Sequence, residues 1–394
     1  MNKAKNIVTA AILLAWPIFV QAVDISGKAG VQSRLFSNDG RFQNSLMLAP
    51  EMYWADDEQT NSFLLKAFAR YDDLDDERSH VDIQEALWLH VADGWEFRAG
   101  IGKVFWGVTE SNQLVDVINQ TDLVEAVDGK QKLGQAMLHA TLIRDWGVVD
   151  AFVLPGFRQR TFAGKNGRLN GGVIIDSDNA LFEHSHKQDH IDLALRYSHS
   201  VDVVDFGIGW FKGTNREPII IPLATAADSD MVSAQPYYDQ MQQLSLDMQA
   251  TLADWLLKVE VIRRQDSLTQ FAAFAAGFEY TLVGWAGTDI DVGLLAEYSR
   301  DSRNSRSTSL FQNDLFLGIR WGFNDVQSTE LLLGYVQDLT NSSSATAFIE
   351  GSRRLGSNWK LVVDIRTFAS SNSNELLYGI RHDDYAAVTL EYFF

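Results

Sequence analysis

The residues best placed to do chemistry are charges that alternate with apolar side chains. Lys66 and Arg70 stand opposite Phe63, Leu65, Ala67, Ala69 and Tyr71, and Asp192 and Arg196 opposite Ile191, Leu193, Leu195 and Tyr197. Lys258, Glu260 and Arg264 oppose Trp255, Leu257, Val259 and Val261; Arg320 opposes Leu315, Leu317, Ile319, Trp321 and Phe323. Lys360, Asp364 and Arg366 oppose Trp359, Leu361, Val363 and Ile365. Arg98 and Arg354 extend the basic set, and Glu96, Asp291, Glu297, Asp314 and Glu350 the acidic one, so the two signs nearly balance. Opposed charge rows in a partly desolvated passage would orient charged or dipolar solutes. The plainer alternative is cross-paired charges that keep a polar interior wet.

Other chemistry is thin. Glu183, His184, His186 and His190 cluster, but solvated loop histidines are the commoner reading and no metal is expected. His90 and His139 fall near strands and read as interior or girdle residues. No Gly-x-Ser-x-Gly elbow occurs, and zero cysteines exclude a thiolate nucleophile, a thiolate zinc site and a disulfide frame. A formal net charge of −19 argues against a nucleic-acid partner, which requires a basic face. No cofactor and no enzymatic activity are expected.

The elements that hold these charges have a period of two, the signature of strands with one apolar and one polar face. The pattern begins at once with Val23, Ile25, Ala29, Val31 and Leu35 and recurs down the chain, often ending in Trp, Tyr or Phe. Such ends suit membrane interfaces. At the carboxyl end Ala386, Val388, Leu390, Tyr392 and Phe394 alternate with Tyr385, Ala387, Thr389, Glu391 and Phe393. This resembles the C-terminal assembly signal of bacterial outer-membrane barrels, an aromatic last residue preceded by alternating hydrophobics. The resemblance implies recognition of 385–394 by the barrel-assembly machinery.

Connections alternate in length. Short ones include Ala92-Asp93-Gly94, Arg144-Asp145-Trp146, Ala253-Asp254 and Gly356-Ser357-Asn358; long ones run over 108–134, 156–189 and 212–236. Counting every candidate strand gives an odd number, but two ends on the same side of a membrane require an even one. Assigning Glu375 to His382 to the last loop restores parity. The expected fold is an all-β, transmembrane, antiparallel up-and-down barrel of about 18 strands over residues 23–394, with 16 as the alternative. Residues 1–22 read as a signal peptide, with Lys3 and Lys5, an apolar run from Ile7 to Val20, and cleavage near Ala22.

Within the long loops, Leu114, Val117, Ile118, Leu123, Val124 and Val127 suggest short amphipathic helical turns, with Asp116, Asn119, Asp122 and Glu125 on other faces. A segment this apolar is expected to fold inward as a constriction; packing on the rim is the alternative. It follows Val104-Phe105-Trp106-Gly107, which loosely resembles uncharacterised proteobacterial outer-membrane proteins with a Trp-Gly strand end before an Asn- and Asp-bearing loop. The Ile219 to Leu223 run is expected to pack on neighbouring loops, with capture of a hydrophobic solute or partner as the alternative. Arg158, Arg160, Lys165 and Arg168 could meet anionic solutes or lipopolysaccharide phosphates, or stay solvated.

These readings imply a porin-like diffusion channel for small solutes in the bacterial outer membrane, with lipid, lipopolysaccharide and small-molecule partners, as monomer or homotrimer. The alternatives are a barrel enzyme of the lipase or protease type, and a structural or adhesive barrel with an occluded lumen.

Overall fold

A computed structural model describes residues 23–223, 232–304, 309–373 and 375–394. The segment read as a signal peptide, 1–22, lies outside them.

Eighteen strands form one sheet. The first nine are β1 (Asp24–Phe36), β2 (Phe42–Ala55), β3 (Asn61–Asp72), β4 (His80–Ala92), β5 (Trp95–Gly102), β6 (Gln135–Arg144), β7 (Gly147–Pro155), β8 (Ile191–Val201) and β9 (Val204–Thr214). They are followed by β10 (Gln240–Leu252), β11 (Trp255–Gln265), β12 (Gln270–Leu282), β13 (Asp291–Asp301), β14 (Asn313–Gly322), β15 (Glu330–Asp338), β16 (Ala345–Leu355), β17 (Trp359–Ala369) and β18 (Tyr385–Phe393). Each pairs antiparallel with its chain neighbours, and β18 pairs with β1 from Lys28↔Phe393 to Phe36↔Tyr385, which closes the barrel. Closure leaves no strand edge without a backbone partner, the condition for crossing hydrocarbon with strands.

The period-two reading sets the two faces. On β18 Val388, Leu390 and Tyr392 are exposed outward, as is Phe394 just beyond it, while Tyr385, Ala387, Thr389 and Glu391 are buried inward. One register shift, between Lys66 and Ala67 against β4, marks a bulge that changes which β4 residues face inward. The expected strand number is found. Glu375 to His382 lies in the connection between β17 and β18, where Leu376–Ile380 forms a single 3-10 turn.

Short turns and long loops alternate at the two ends. The connections after β7 and β9 contribute a small accessory sheet over the loop end, with Ile219–Pro222 antiparallel to Val232–Tyr238 and Val173–Ile175 and Leu181–Phe182 parallel to it. Thus the Ile219 run is paired within the loop layer.

Candidate functional site: a loop across the lumen

The connection between β5 and β6, residues 103–134, turns into the barrel. It contains turns and isolated bridges and no α-helix. The expected amphipathic helical turns are therefore corrected, because side chains of the wall take the loop's backbone N–H groups in place of intrahelical carbonyls. Glu260 on β11, fully buried, accepts from Val108 N (2.7 Å), Thr109 N (3.0 Å), Thr109 Oγ1 (2.8 Å) and Val115 N (3.1 Å). Glu297 on β13 accepts from Glu110 N (2.7 Å), Ser111 N (2.8 Å) and Ser111 Oγ (2.6 Å). Buried carboxylates need such donors, and hydrogen bonds to a charged acceptor are among the stronger ones. Alongside, Trp106, Val115, Val117 and Ile118 pack on Met137, Phe152, Leu154, Phe211 and Ile262, so this edge of the loop is also apolar and dry.

The four predicted loop residues brace this fold. Asn119 accepts from Val104 N and donates to Gly102 O and Leu133 O, tying the two ends of the loop together. Asp116 is buried beside Lys132 (3.3 Å); burial outweighs that cation and holds its carboxyl above the usual range. Asp122 accepts from Thr161 Oγ1 at 2.7 Å, and burial raises it likewise. Glu125 takes both Arg70 Nε and Nη2, at 2.8 and 2.7 Å. Arg78, buried in the loop after β3, donates to Val124 O, Asp72, Ser45 and Gln32 and pins the loop from this side.

The remaining edge is different. There Glu110 meets Arg320 on β14 (2.6 Å) and Lys130 (3.1 Å); Lys130 approaches Glu350 on β16 (3.7 Å); and Asp128 meets Arg366 on β17 (2.8 Å). Arg366 also pairs with Glu350 and Asp364, and Lys360 lies 4.0 Å from Glu330. Burial pushes the Glu110 carboxyl up, yet Lys130 and Arg320 together hold it below the ordinary glutamate range. These side chains, with Lys360 and Asp364, border a cavity of about 450 Å³. This is a seam of partly hydrated ion pairs between loop and wall.

The eleven wall residues expected from the alternation all face inward, but only Arg320, Lys360, Asp364 and Arg366 meet at the seam. Elsewhere Arg196 takes both oxygens of Asp247, Lys66 sits between Glu51 and Glu85, Arg98 pairs with Glu96, and Lys258 lies 3.9 Å from Glu279. Arg70, Glu260 and Arg264 hold loops: Arg264 binds Glu217, and Arg216 spans Asp192 and Ile118 O. Arg264 and Arg303 keep the Glu217 carboxyl well below its usual range despite its burial. Alternation does not reveal Glu110, Asp128 and Lys130, since a loop has no period; their one signal is charge within an otherwise apolar segment.

Of the loop cations, Arg158 pairs with Asp82 and Arg168 with Asp39 and Asp383, whereas Lys165 is exposed. His190 contacts Asp192, and among the described residues no group of three or more metal-ligating side chains is arranged to hold an ion. His139 sits inside the wall, bonded to Asp150 at 2.8 Å and stacked on Phe152; His90 is bonded to Asn61 beside Trp88 and Trp95.

No family model matches the sequence, and no curated relative does. Solved structures do match over nearly the whole chain. OccK3 (OpdO) of Pseudomonas aeruginosa aligns with a TM-score of 0.53 at 9% identity, covering 94% of this chain and 96% of that one. OpdQ of the same organism aligns at 0.51 and 11%, covering 94% and 97%. The fold is that of an outer-membrane porin. In such a barrel the long loops are extracellular and the short turns periplasmic, so the porin-fold lumen here carries its loop between the two mouths.

Proposed function

We propose that this chain is a porin-like channel through which small solutes diffuse passively across the bacterial outer membrane, after removal of the segment preceding Val23. One observation carries the reading: the loop is fastened unequally. Its β11 and β13 edge is held by buried carboxylates and apolar packing, while its β14 to β17 edge rests on ion pairs open to the 450 Å³ cavity. Partly exposed ion pairs contribute only about 0–1 kcal/mol each. Buried bonds to a carboxylate are costly to break, about 1.5–3 kcal/mol apiece. The seam is therefore where a passing solute displaces the loop, and its opposed charges orient that solute.

A second reading, a structural barrel with an occluded lumen, is favoured by the number of wall strands the loop touches. Planar-bilayer recording separates them. The folded, heat-modifiable protein should give discrete conductance steps, and deleting residues 110–130 should enlarge them. A folded barrel without steps would overturn the channel reading.

A further inference from the structure

The outer face of the barrel is uneven near its extracellular end. Lys212 on β9, Arg263 on β11 and Arg300 on β13 each stand one or two residues from the loop end of their strands. Their neighbours Phe211, Ile262, Arg264, Ser299 and Asp301 are buried inside. By alternation the three cations point outward; Lys212 and Arg263 are exposed and Arg300 is half-buried. On the same face one pleat deeper lie Trp210, Val261 and Tyr298, so each cation caps an apolar row.

Register relates them. Lys212 pairs with Gln242, which pairs with Gln265, two residues beyond Arg263; Arg263 pairs with Ala272, two residues from Phe274, which pairs with Arg300. Successive cations are thus two strands apart, about 10 Å across the sheet. Among the described residues none of the three has a carboxylate partner. Arg300 donates to the Asn304 amide oxygen at 2.7 Å, and Gln270 lies beside Arg263. The cations of the inner wall are mostly ion-paired, which makes this row unusual. On β1 to β4 and β8 the corresponding rim carries Leu35, Phe42, Tyr71, Val81 and Ile191, so the charge belongs to one sector.

A cation at the hydrocarbon boundary is stabilised by an anion at headgroup level, and phosphate gives Arg and Lys short charge-assisted bonds. A ligand meeting both this row and the aliphatic band beneath it must carry phosphates on acyl chains. We propose that Lys212, Arg263 and Arg300 form a docking surface for the phosphates of an anionic glycolipid in the outer leaflet. This rests on the barrel's membrane placement and is independent of whether the lumen conducts.

The test uses the folded protein in detergent with diphosphoryl lipid A, dephosphorylated lipid A and inorganic phosphate, followed by native mass spectrometry. Diphosphoryl lipid A should bind more tightly than its dephosphorylated form. At roughly fivefold per cation, the triple variant K212Q/R263Q/R300Q should lose on the order of 100-fold in affinity. The charge-retaining K212R/R263K/R300K should bind like the parent, as should Arg354→Gln, on an inward position at the periplasmic end. Should the triple variant not fold, Arg263→Gln alone should still lose about fivefold. Undiminished binding by the folded triple or single variant would overturn the proposal. So would equal competition by inorganic phosphate, which would indicate a free-anion site.

Discussion

Glu260 on β11 accepts the backbone N–H of Val108 at 2.7 Å, across 152 positions of sequence and from inside the lumen. A wall carboxylate thereby acts as the acceptor that a helix would otherwise provide for this turn. Replacing it with Ala leaves Val108, Thr109 and Val115 N–H groups without that acceptor. Glu260→Ala should loosen the loop by about 3–5 kcal/mol, since each buried donor left unsatisfied costs about 1–3 kcal/mol and the loop relaxes in part. Limited proteolysis between 107 and 116 should accelerate at least tenfold while the heat-modifiable barrel persists; unchanged cleavage would refute the clamp.

Gly107 approaches the same carboxylate by a different route. Its φ is +133°, and an added Cβ would lie 2.8 Å from Glu260 Oε1. Gly107→Ala therefore combines a disfavoured backbone with a displaced acceptor. The expected result is a smaller version of the Glu260→Ala phenotype, about 1–3 kcal/mol, measured as the same rise in loop cleavage. A fully protected loop in this variant would show that the backbone there has room to adjust.

The seam makes an electrical prediction. Neutralising Arg320 and Arg366 leaves Glu110 and Asp128 facing the cavity without their wall partners. The double variant Arg320→Gln/Arg366→Gln should shift reversal potentials in a salt gradient toward cation selectivity, and the shift should weaken at high salt as screening shortens. Unchanged selectivity would mean that the rows serve only to hold the loop.

Legibility followed the physics of each element. A strand's faces repeat every two residues, so Ala386 to Phe394 announced its orientation, and parity then placed Glu375 to His382 in a connection. The loop offers no such period. Glu110 and Arg320 are 210 positions apart, and their pairing depends on where Glu260 and Glu297 hold the turn between them. Hence Asp116, Asn119, Asp122 and Glu125 could be recognised as polar residues of an apolar loop. Which of the loop's charges turn toward the seam could not, because burial and long-range bonds decide that after the barrel closes.

Asp383, in the loop before β18, supplies a pH dependence. It is buried, 3.0 Å from Arg168, which also pairs with Asp39, so it links three extracellular loops. Burial raises its carboxyl to about 6; Arg168 opposes the rise, while Asp39 and Asp384 add to it. Because the folded value lies above the unfolded one, about 4, protonation favours the docked loops. That stabilisation is complete below about pH 4 and is lost as pH rises through about 6. At neutral pH the ionised group therefore costs stability, about 1–3 kcal/mol for a gap of this size. Asp383→Asn, neutral throughout, should protect amides of 376–384 from hydrogen exchange more than the parent does at pH 7.5, with the difference vanishing near pH 4. Weaker protection in the variant at pH 7.5 would show instead that the ion pair with Arg168 outweighs the burial of the charge.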